Sequence, residues 1–219
     1  VDIRRALAVS SDVYFYEIGG GFEDQKGLGI ANIEKYMRMF GFGVPPPGSD
    51  MFGEAGVIPN PEWKKANFNG DGWRLGNTYH TAIGQYGFQV TPLQVVRAIA
   101  TIANGGKLLE PRLVVEKDVS VSYTIVPIQT SSFQVVREGM RAAVTDGGTA
   151  SGLFIPQVTV AAKTGTAELG TRKQFVNSWV AGFFPYGKPR YAFAVLMERG
   201  PRDNTVGGLY VMRELLEWM

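Results

Sequence analysis

The sequence is most informative at first through what it lacks. It has no cysteine and a single histidine, His80, among its 219 residues. Catalytic cysteines, disulfides and cysteine-based zinc sites are therefore excluded, and so is a histidine-rich metal site. No apolar run approaches the roughly 18 residues that a membrane-spanning helix needs. We expect neither a metal ion nor a cofactor.

An excess of charge of one sign is also lacking. The 22 Lys and Arg residues nearly balance the 20 Asp and Glu residues, which gives a net charge of +2. A surface that binds nucleic acid usually needs a clear basic excess. We therefore expect no nucleic-acid partner.

The composition is that of an ordinary globular chain, with 45% hydrophobic and 19% charged residues. Its length suits one large domain or two small ones. The first residues, Val1 to Leu7, contain neither an initiator methionine nor a secretory leader and have the character of a helix interior. This start predicts that residues 1–219 are a fragment of a longer protein.

Helical periodicity and capping signals predict helices over the first two-thirds of the chain. Two short helices are expected within residues 1–18, meeting at Ser10-Ser11-Asp12, and others over 30–40, 93–103 and 131–143. Ser131 and Gln134 have the spacing of a capping box. Residues 42–76, which are rich in proline and glycine, are predicted to be irregular, and residues 112–115 are a strand candidate.

The last third changes to short β-branched and aromatic stretches. Residues 158–162, 178–184 and 191–197 are predicted strands, separated by turn signals at 165–170 and 185–187. An amphipathic helix follows over 209–218, with Leu209, Met212, Leu215 and Leu216 as its apolar stripe. Helices followed by a three-stranded antiparallel meander and a final helix indicate an α+β fold.

Lys163-Thr164-Gly165-Thr166 follows the first predicted strand directly. A lysine there can bring its ammonium group to a hydroxyl group or to an anion. The two threonines are two residues apart and so share one face, where their hydroxyls could bind a carboxylate. Glycine would let a ligand approach the strand closely. The alternative is a plain strand that leads into a polar turn.

Ser10-Ser11-Asp12 is the second motif. A serine near a lysine and a carboxylate can relay a proton. The alternative is that these residues only cap the helix that follows them.

Taken together, the two motifs resemble the penicillin-binding protein and β-lactamase set, which combines Ser-x-x-Lys, a Ser-Asx box and Lys-Thr-Gly. Over nearly its whole length, the chain is similar to the carboxyl-terminal part of class B penicillin-binding proteins of the penicillin-binding protein 2 type, which act in rod elongation. Other matching stretches, in the same order, are Ile83-Gly84-Gln85, Thr91-Pro92-Leu93-Gln94, Asn104-Gly105-Gly106, Gly148-Thr149-Ala150 and Ser178-Trp179. Two departures are Tyr86, which is inserted where many relatives read Gly-Gln-Gly, and Asn177, where many have His before Ser-Trp.

The resemblance implies a penicillin-binding transpeptidase fold and a D,D-transpeptidase that cross-links peptidoglycan stem peptides and is acylated by β-lactam antibiotics. It also implies catalytic roles: Ser10 would transfer a proton, Asp12 would contact the lysine of the nucleophile's motif, and Lys163 would hydrogen-bond Ser10. The hydroxyl groups of Thr164 and Thr166, beside Gly165, would bind a carboxylate. The backbone N–H of Thr166 would form half of the oxyanion hole.

The family's nucleophile, the serine of Ser-x-x-Lys, is missing, because no lysine of this chain has a serine three positions before it. We expect the upstream part of the same protein, or another chain, to supply it, and the chain alone to be inactive. The resemblance further implies a membrane glycosyltransferase as partner. It also implies a location in the periplasm or on the extracytoplasmic face of the inner membrane, through an upstream anchor.

Two functional alternatives stay open: a D,D-carboxypeptidase or β-lactamase of the same fold, and a non-catalytic β-lactam-binding or sensor module. Three further roles stay open. His80 could be the base of a triad. Trp63, Trp73 and Trp179 could stack on a ligand or belong to the core, and residues 168–173 could form a turn that gates the cleft.

Overall fold

A computed structural model describes residues 1–47, 53–114, 120–170, 173–204 and 207–219. The helices are α1 (Ile3–Val9), α2 (Asp12–Gly20), α3 (Gly29–Met39), α4 (Pro61–Asn67), α5 (Leu75–Ala82), α6 (Pro92–Ala103), α7 (Thr130–Thr145) and α8 (Gly207–Trp218). The strands are β1 (Gly21–Phe22), β2 (Gln25–Lys26), β3 (Lys107–Leu109), β4 (Tyr123–Ile125), β5 (Ala161–Leu169), β6 (Phe175–Phe184) and β7 (Tyr191–Pro201).

The chain divides into two compact units. The first, which we call the sheet unit, comprises Val1–Ser10, Val95–Leu109 and Val121–Met219. The second, the helical unit, comprises Ser11–Gln94 and Glu110–Ser120. The division falls between the two serines of the Ser10-Ser11-Asp12 motif.

The sheet unit is built on a three-stranded antiparallel sheet in the order β5-β6-β7. Lys163 on β5 lies opposite Ala181 on β6, and Ala181 lies opposite Ala194 on β7. Among the described residues, β5 has a neighbouring strand on one side only. The predicted α+β class and the antiparallel meander with its final helix are therefore confirmed.

Apolar side chains pack on both faces of this sheet. One cluster includes Ala162 and Val180 of the sheet, Val144 of α7, and Met212 and Leu216 of α8. A second cluster lies against the other face, since its sheet residues, Ala161, Ala181 and Phe183, alternate along the strands with those of the first.

Two glycines allow the first helix of the sheet unit to lie close to α7. A Cβ atom at Gly139 would come within 2.8 Å of Leu7 Cδ1, and one at Gly148 within 2.6 Å of the Ala8 carbonyl oxygen. Arg4 adds an ion pair with Glu138 at 2.6 Å. The helix ends at Ser10, its C-cap residue.

The helical unit contains α2, α3, α4, α5 and the short β1–β2 hairpin. Helix α2 packs closely on α5, since a Cβ atom at Gly19 would lie 2.4 Å from that of Ala82. The residues predicted to be irregular contain α4 and the start of α5, so that prediction was wrong for this part. Pro61, one of the prolines on which that prediction rested, occupies the first turn of α4 behind its cap, Asn60.

The first sheet strand also differs from its prediction. We expected a strand over 158–162 followed by a turn, but β5 spans Ala161–Leu169 and contains the whole Lys163-Thr164-Gly165-Thr166 motif. Pairing with β6 across its full length outweighs the low strand propensity of Gly165. The turn begins only at Gly170, and residues 171–172 of the predicted turn lie outside the described residues.

Three smaller predictions were wrong. Residues 112–114 form no strand, and residue 115 lies outside the described residues. The strands in this part of the chain are β3, before residue 112, and β4, after residue 120, and they pair with each other. Ser131 is not a cap, because α7 begins at Thr130, and the Gln134 amide donates to Glu138. Leu215 on α8 is 45% exposed, while Met212 and Leu216 are buried.

Candidate active site

Ser10 lies at the carboxyl end of α1 in the left-handed conformation, with φ 55° and ψ 55°. Glycine is the usual residue at such a helix end, and a residue with a side chain costs about 1 kcal/mol more. Its backbone N–H closes the helix on Ala6 and Leu7. A serine kept here despite that cost points to a use for its hydroxyl group.

That hydroxyl group contacts Lys163. The ammonium group of Lys163 donates to Ser10 Oγ at 2.7 Å, although the two residues are 153 positions apart in the sequence. It also donates to the Thr164 carbonyl oxygen at 2.7 Å. The structure therefore brings together the two residues that the sequence analysis put at the centre of the site.

An ammonium group in this position favours negative charge on the serine oxygen. The lysine side chain is only partly exposed, so solvent screens the interaction less than at an open surface. The arrangement suits a hydroxyl group that gives up and takes back a proton. It requires no metal ion to supply the positive charge.

Thr164 makes a contact that the sequence analysis did not predict. Its Oγ1 atom lies 2.7 Å from Oγ1 of Thr149, which follows Gly148 after the end of α7. The backbone N–H of Thr149 donates to the Ala8 carbonyl oxygen at 3.0 Å. Gly148-Thr149-Ala150 was noted only as part of the family resemblance, because a threonine after two glycines looks like an ordinary turn residue.

Gly165 is not required by the packing of the chain. A Cβ atom there would meet only Trp179 Cβ, at an ordinary contact distance of 3.5 Å. Gly182 on β6 is the opposite case, because its Cβ atom would lie 2.3 Å from the Ala161 carbonyl oxygen. Thr166 is exposed on β5, opposite Ser178. The backbone role predicted for it stays a prediction.

Ser11 and Asp12 belong to the helical unit. Ser11 caps α2, since its hydroxyl oxygen accepts the Tyr14 N–H at 3.4 Å. Asp12 is the exposed first residue of that helix. The capping alternative therefore holds for Ser11 but not for Ser10, and the role predicted for Asp12 stays a prediction.

Glu168, near the end of β5, forms an ion pair with Lys173 at 2.5 Å and a longer one with Arg202 at 3.4 Å. The hydrogen bond from Lys173 is the main reason that the pKa of Glu168 lies below its ordinary value. The pairs join the end of β5 to the turn after it and to the residue after β7. The gating role predicted for 168–173 stays a prediction.

Trp63 and Trp73 belong to an aromatic cluster in the helical unit. Their ring centroids lie 6.0 Å and 5.7 Å from that of Tyr86, and Phe68 stacks on Tyr86 at 6.1 Å. These tryptophans therefore anchor a loop through Tyr86, one of the two departures from the family pattern. His80 is exposed in the same unit, with its ring 6.1 Å from that of Tyr16.

Lys64 is a buried cation that the sequence did not distinguish from its neighbour Lys65. It is 2% exposed and donates to the Gly72 carbonyl oxygen at 2.5 Å and to Asn77 Oδ1 at 2.9 Å. Asp71 completes the group at 3.0 Å. The hydrogen bond from Lys64 is the main reason that the pKa of Asp71 lies below its ordinary value.

Within the part of the chain that the structure describes, no helix has the length and apolar character needed to cross a bilayer. In the same residues, His, Asp and Glu side chains form no group of three that could hold a metal ion.

The chain matches the penicillin binding protein transpeptidase domain over residues 1–215. It is 33% identical over 231 aligned residues to a peptidoglycan D,D-transpeptidase, MrdA, of Acinetobacter baumannii. That alignment covers 95% of this chain but 33% of the relative. The chain therefore spans about a third of the length of this curated relative.

The chain is also similar to solved structures of the same kind of protein. The chain is 33% identical to penicillin-binding protein 2 of Helicobacter pylori in its complex with MreC, with a TM-score of 0.78 over 100% of this chain and 40% of that one. A peptidoglycan synthase complex, whose structure concerns the coordination of polymerization and crosslinking, is 27% identical, with a TM-score of 0.80 over 99% of this chain and 37% of that one.

Proposed function

Because this chain belongs to the penicillin-binding protein transpeptidase domain family, we propose that it forms the carboxyl-terminal part of a peptidoglycan D,D-transpeptidase. The observation that carries the proposal is the 2.7 Å contact between Lys163 Nζ and Ser10 Oγ. Two side chains from distant parts of the sequence form here the lysine and hydroxyl pair that acyl transfer needs.

The reaction is a serine-type acyl transfer in two steps. A serine hydroxyl group attacks the carbonyl carbon between two D-alanines of a stem peptide, the new C–O bond replaces the C–N bond, and the terminal D-alanine leaves as the protonated amine. An amine of a second stem then attacks the ester and restores the serine. Splitting one hard step into two easier ones is the gain of nucleophilic catalysis.

Ser10 carries protons in both steps. In the first, it passes a proton to the leaving nitrogen, and in the second it takes one from the incoming amine. The ammonium group of Lys163, hydrogen-bonded to Ser10 Oγ, stabilises the charge that grows on this oxygen during each transfer. Asp12 would face the lysine of the nucleophile's own motif and the amide of the substrate.

The nucleophile itself lies outside these residues, because no lysine in the sequence is preceded by serine at the required spacing. We assign it to the upstream part of the same protein. The chain alone is therefore inactive, although it carries the proton-relay and substrate-binding side of the site.

Thr164, Gly165 and Thr166 would bind the terminal carboxylate of the stem peptide or the carboxylate of a β-lactam. Gly165 supports this assignment, because a Cβ atom would fit at this position and yet the residue is glycine. A ligand lying along the one-sided strand β5 would use that room. The backbone N–H of Thr166 would supply half of the oxyanion hole.

The partners and location of the whole protein are part of the same proposal. The H. pylori relative is in a complex with MreC, and another relative belongs to a peptidoglycan synthase complex. We accordingly place the protein at the extracytoplasmic face of the inner membrane, anchored by an upstream segment, with a membrane glycosyltransferase as its partner.

The test is covalent labelling with fluorescent penicillin. The natural protein with its upstream part should be labelled, and residues 1–219 alone should not. Lys163→Met should slow labelling by about 10²-fold or more, because the charge at the relay is lost. Ser10→Gly should slow it similarly while relieving the left-handed conformation, so its thermal stability should not fall.

Lys107→Met is the matched control, since it removes a lysine of the same unit whose ammonium group lies 5.0 Å from the centroid of the Tyr123 ring and not beside Ser10. Labelling of residues 1–219 alone would show that the nucleophile is misassigned. A Lys163→Met protein that is labelled at the normal rate would refute the role of Lys163. Rapid release of the penicilloyl group would favour a carboxypeptidase or β-lactamase, and an upstream part without Ser-x-x-Lys would favour a non-catalytic β-lactam-binding module.

A further inference from the structure

We propose that Thr149 is a positioning residue for the anion-binding hydroxyl group of Thr164. The inference deepens the proposed function and rests on it, because it concerns how the same site holds the carboxylate of a stem peptide or β-lactam. It adds Thr149, which no motif of the sequence assigns to the site.

The geometry is a short hydroxyl pair. Oγ1 of Thr149 and Oγ1 of Thr164 are 2.7 Å apart, although the residues are 15 positions apart in the chain. That distance is the optimum for a hydrogen bond between hydroxyl groups. A threonine that serves only a turn usually bonds to its own neighbouring backbone. Thr149 instead reaches across to a neighbouring strand.

The number of hydrogens determines the direction of this bond when an anion is present. Each hydroxyl group has one hydrogen to donate, and an ionised carboxylate can only accept. If Thr164 donates to Thr149, it has no hydrogen left for the ligand. If Thr149 donates to Thr164, the hydrogen of Thr164 is free to point at the carboxylate. The ligand therefore selects the second arrangement, in which the two bonds in series strengthen each other.

The backbone of Thr149 is held firmly enough to do this. Its N–H donates to the Ala8 carbonyl oxygen at 3.0 Å. Gly148 beside it fits so closely that a Cβ atom would lie 2.5 Å from Ala143 Cα. Ala8 belongs to the last turn of α1, the helix that ends at Ser10. The hydrogen bonds from Thr149 to Ala8 and to Thr164 therefore lie near the contact between Ser10 and Lys163. The two links hold β5 against the end of α1.

The experiment compares benzylpenicillin with its methyl ester in the natural protein with its upstream part. For each protein, the second-order rate constant of acylation is measured with both compounds, and their ratio gives the selectivity for the carboxylate. Thr149→Val removes the hydroxyl group at nearly constant shape and should lower this selectivity by about 3- to 10-fold, the size of one neutral hydrogen bond. Thr149→Ser should keep it.

Three further variants sharpen the test. Thr149→Ala is a second variant without the hydroxyl group, should the valine protein not fold. Thr145→Val is the matched control, because the Thr145 hydroxyl group donates only to the Arg141 carbonyl within α7. Adding Thr149→Val to Thr164→Val should cause no further loss, since Thr149 acts through Thr164.

The inference is overturned if Thr149→Val slows both compounds equally, if serine does not rescue, or if the two threonine changes are additive, which would make Thr149 an independent ligand. These results leave the proposed function standing. If the unmodified protein is acylated by neither compound, the proposed function fails, and this inference fails with it.

Discussion

Two glycines on neighbouring strands offer a direct test of the site, because the same change should have opposite effects at the two positions. Gly182→Ala puts a methyl group 2.3 Å from the Ala161 carbonyl oxygen and 2.9 Å from Ala162 Cα. Both contacts are with backbone atoms of a paired strand, which cannot move aside. Overpacking of this kind costs about 1–3 kcal/mol, and we expect the upper end.

Gly165→Ala meets only Trp179 Cβ at 3.5 Å, so nothing has to move. A glycine within a strand is about 0.5–1 kcal/mol less favourable than alanine, because it has more conformational freedom to lose. The alanine variant should therefore be more stable than the natural protein by about that amount. It should also be acylated by penicillin more slowly, because the methyl group occupies the space proposed for the ligand.

The assay is thermal unfolding of both variants, followed by penicillin labelling of the same variants in the natural protein with its upstream part. One kcal/mol corresponds to about 2–4 °C in a chain of this size. Gly165→Ala should raise the midpoint by about 1–4 °C, and Gly182→Ala should lower it by about 6–12 °C. If Gly165→Ala destabilises the protein as much as Gly182→Ala, the glycine is structural and the argument for a ligand at β5 is wrong. Normal labelling of Gly165→Ala would refute the argument as well.

Three further outcomes are expected. Gly148→Ala should lower the free energy of unfolding, measured with urea, by about 1–3 kcal/mol, because its methyl group would lie 2.5 Å from Ala143 Cα. An unchanged urea midpoint would contradict this packing. Lys64→Met should cost about 1–3 kcal/mol in urea unfolding, because Asn77 Oδ1 loses a buried donor, whereas Lys65→Met should be neutral. Asp71 has a pKa below its ordinary value of 3.8, so its contribution to stability is present above about pH 4 and is lost as the pH falls through the lowered pKa. Asp71→Asn should therefore weaken the dependence of unfolding on acid pH. An unchanged pH profile would count against the ion pair with Lys64.

Local signals were enough where structure depends on neighbours in the chain. The two helices that meet at Ser10-Ser11-Asp12 were predicted because capping residues act within one turn. The final helix was predicted from its apolar spacing, although Leu215 proved to be exposed. The helix that begins at Pro61 was missed, because a proline ends one helix and begins another equally well.

Other features depend on what packs against them. The Lys163 motif looked like the start of a turn, but it lies in the middle of β5, because β6 supplies hydrogen bonds along the whole strand. Thr149 and Lys64 are unremarkable in the sequence. Their importance comes from Thr164 in one case and from the Gly72 carbonyl, Asn77 and Asp71 in the other, and these partners are brought near only by folding.

By itself, the sequence determined the α+β class, the family and the identity of the central pair, because residue types and their order along the chain carry that information. The tertiary structure decided which glycines the packing requires and which threonine accompanies Thr164. The reason is physical: hydrogen bonds and close contacts depend on distances of a few ångströms between atoms, and residues far apart in sequence acquire such distances only when helix α1 and strand β5 pack in one unit.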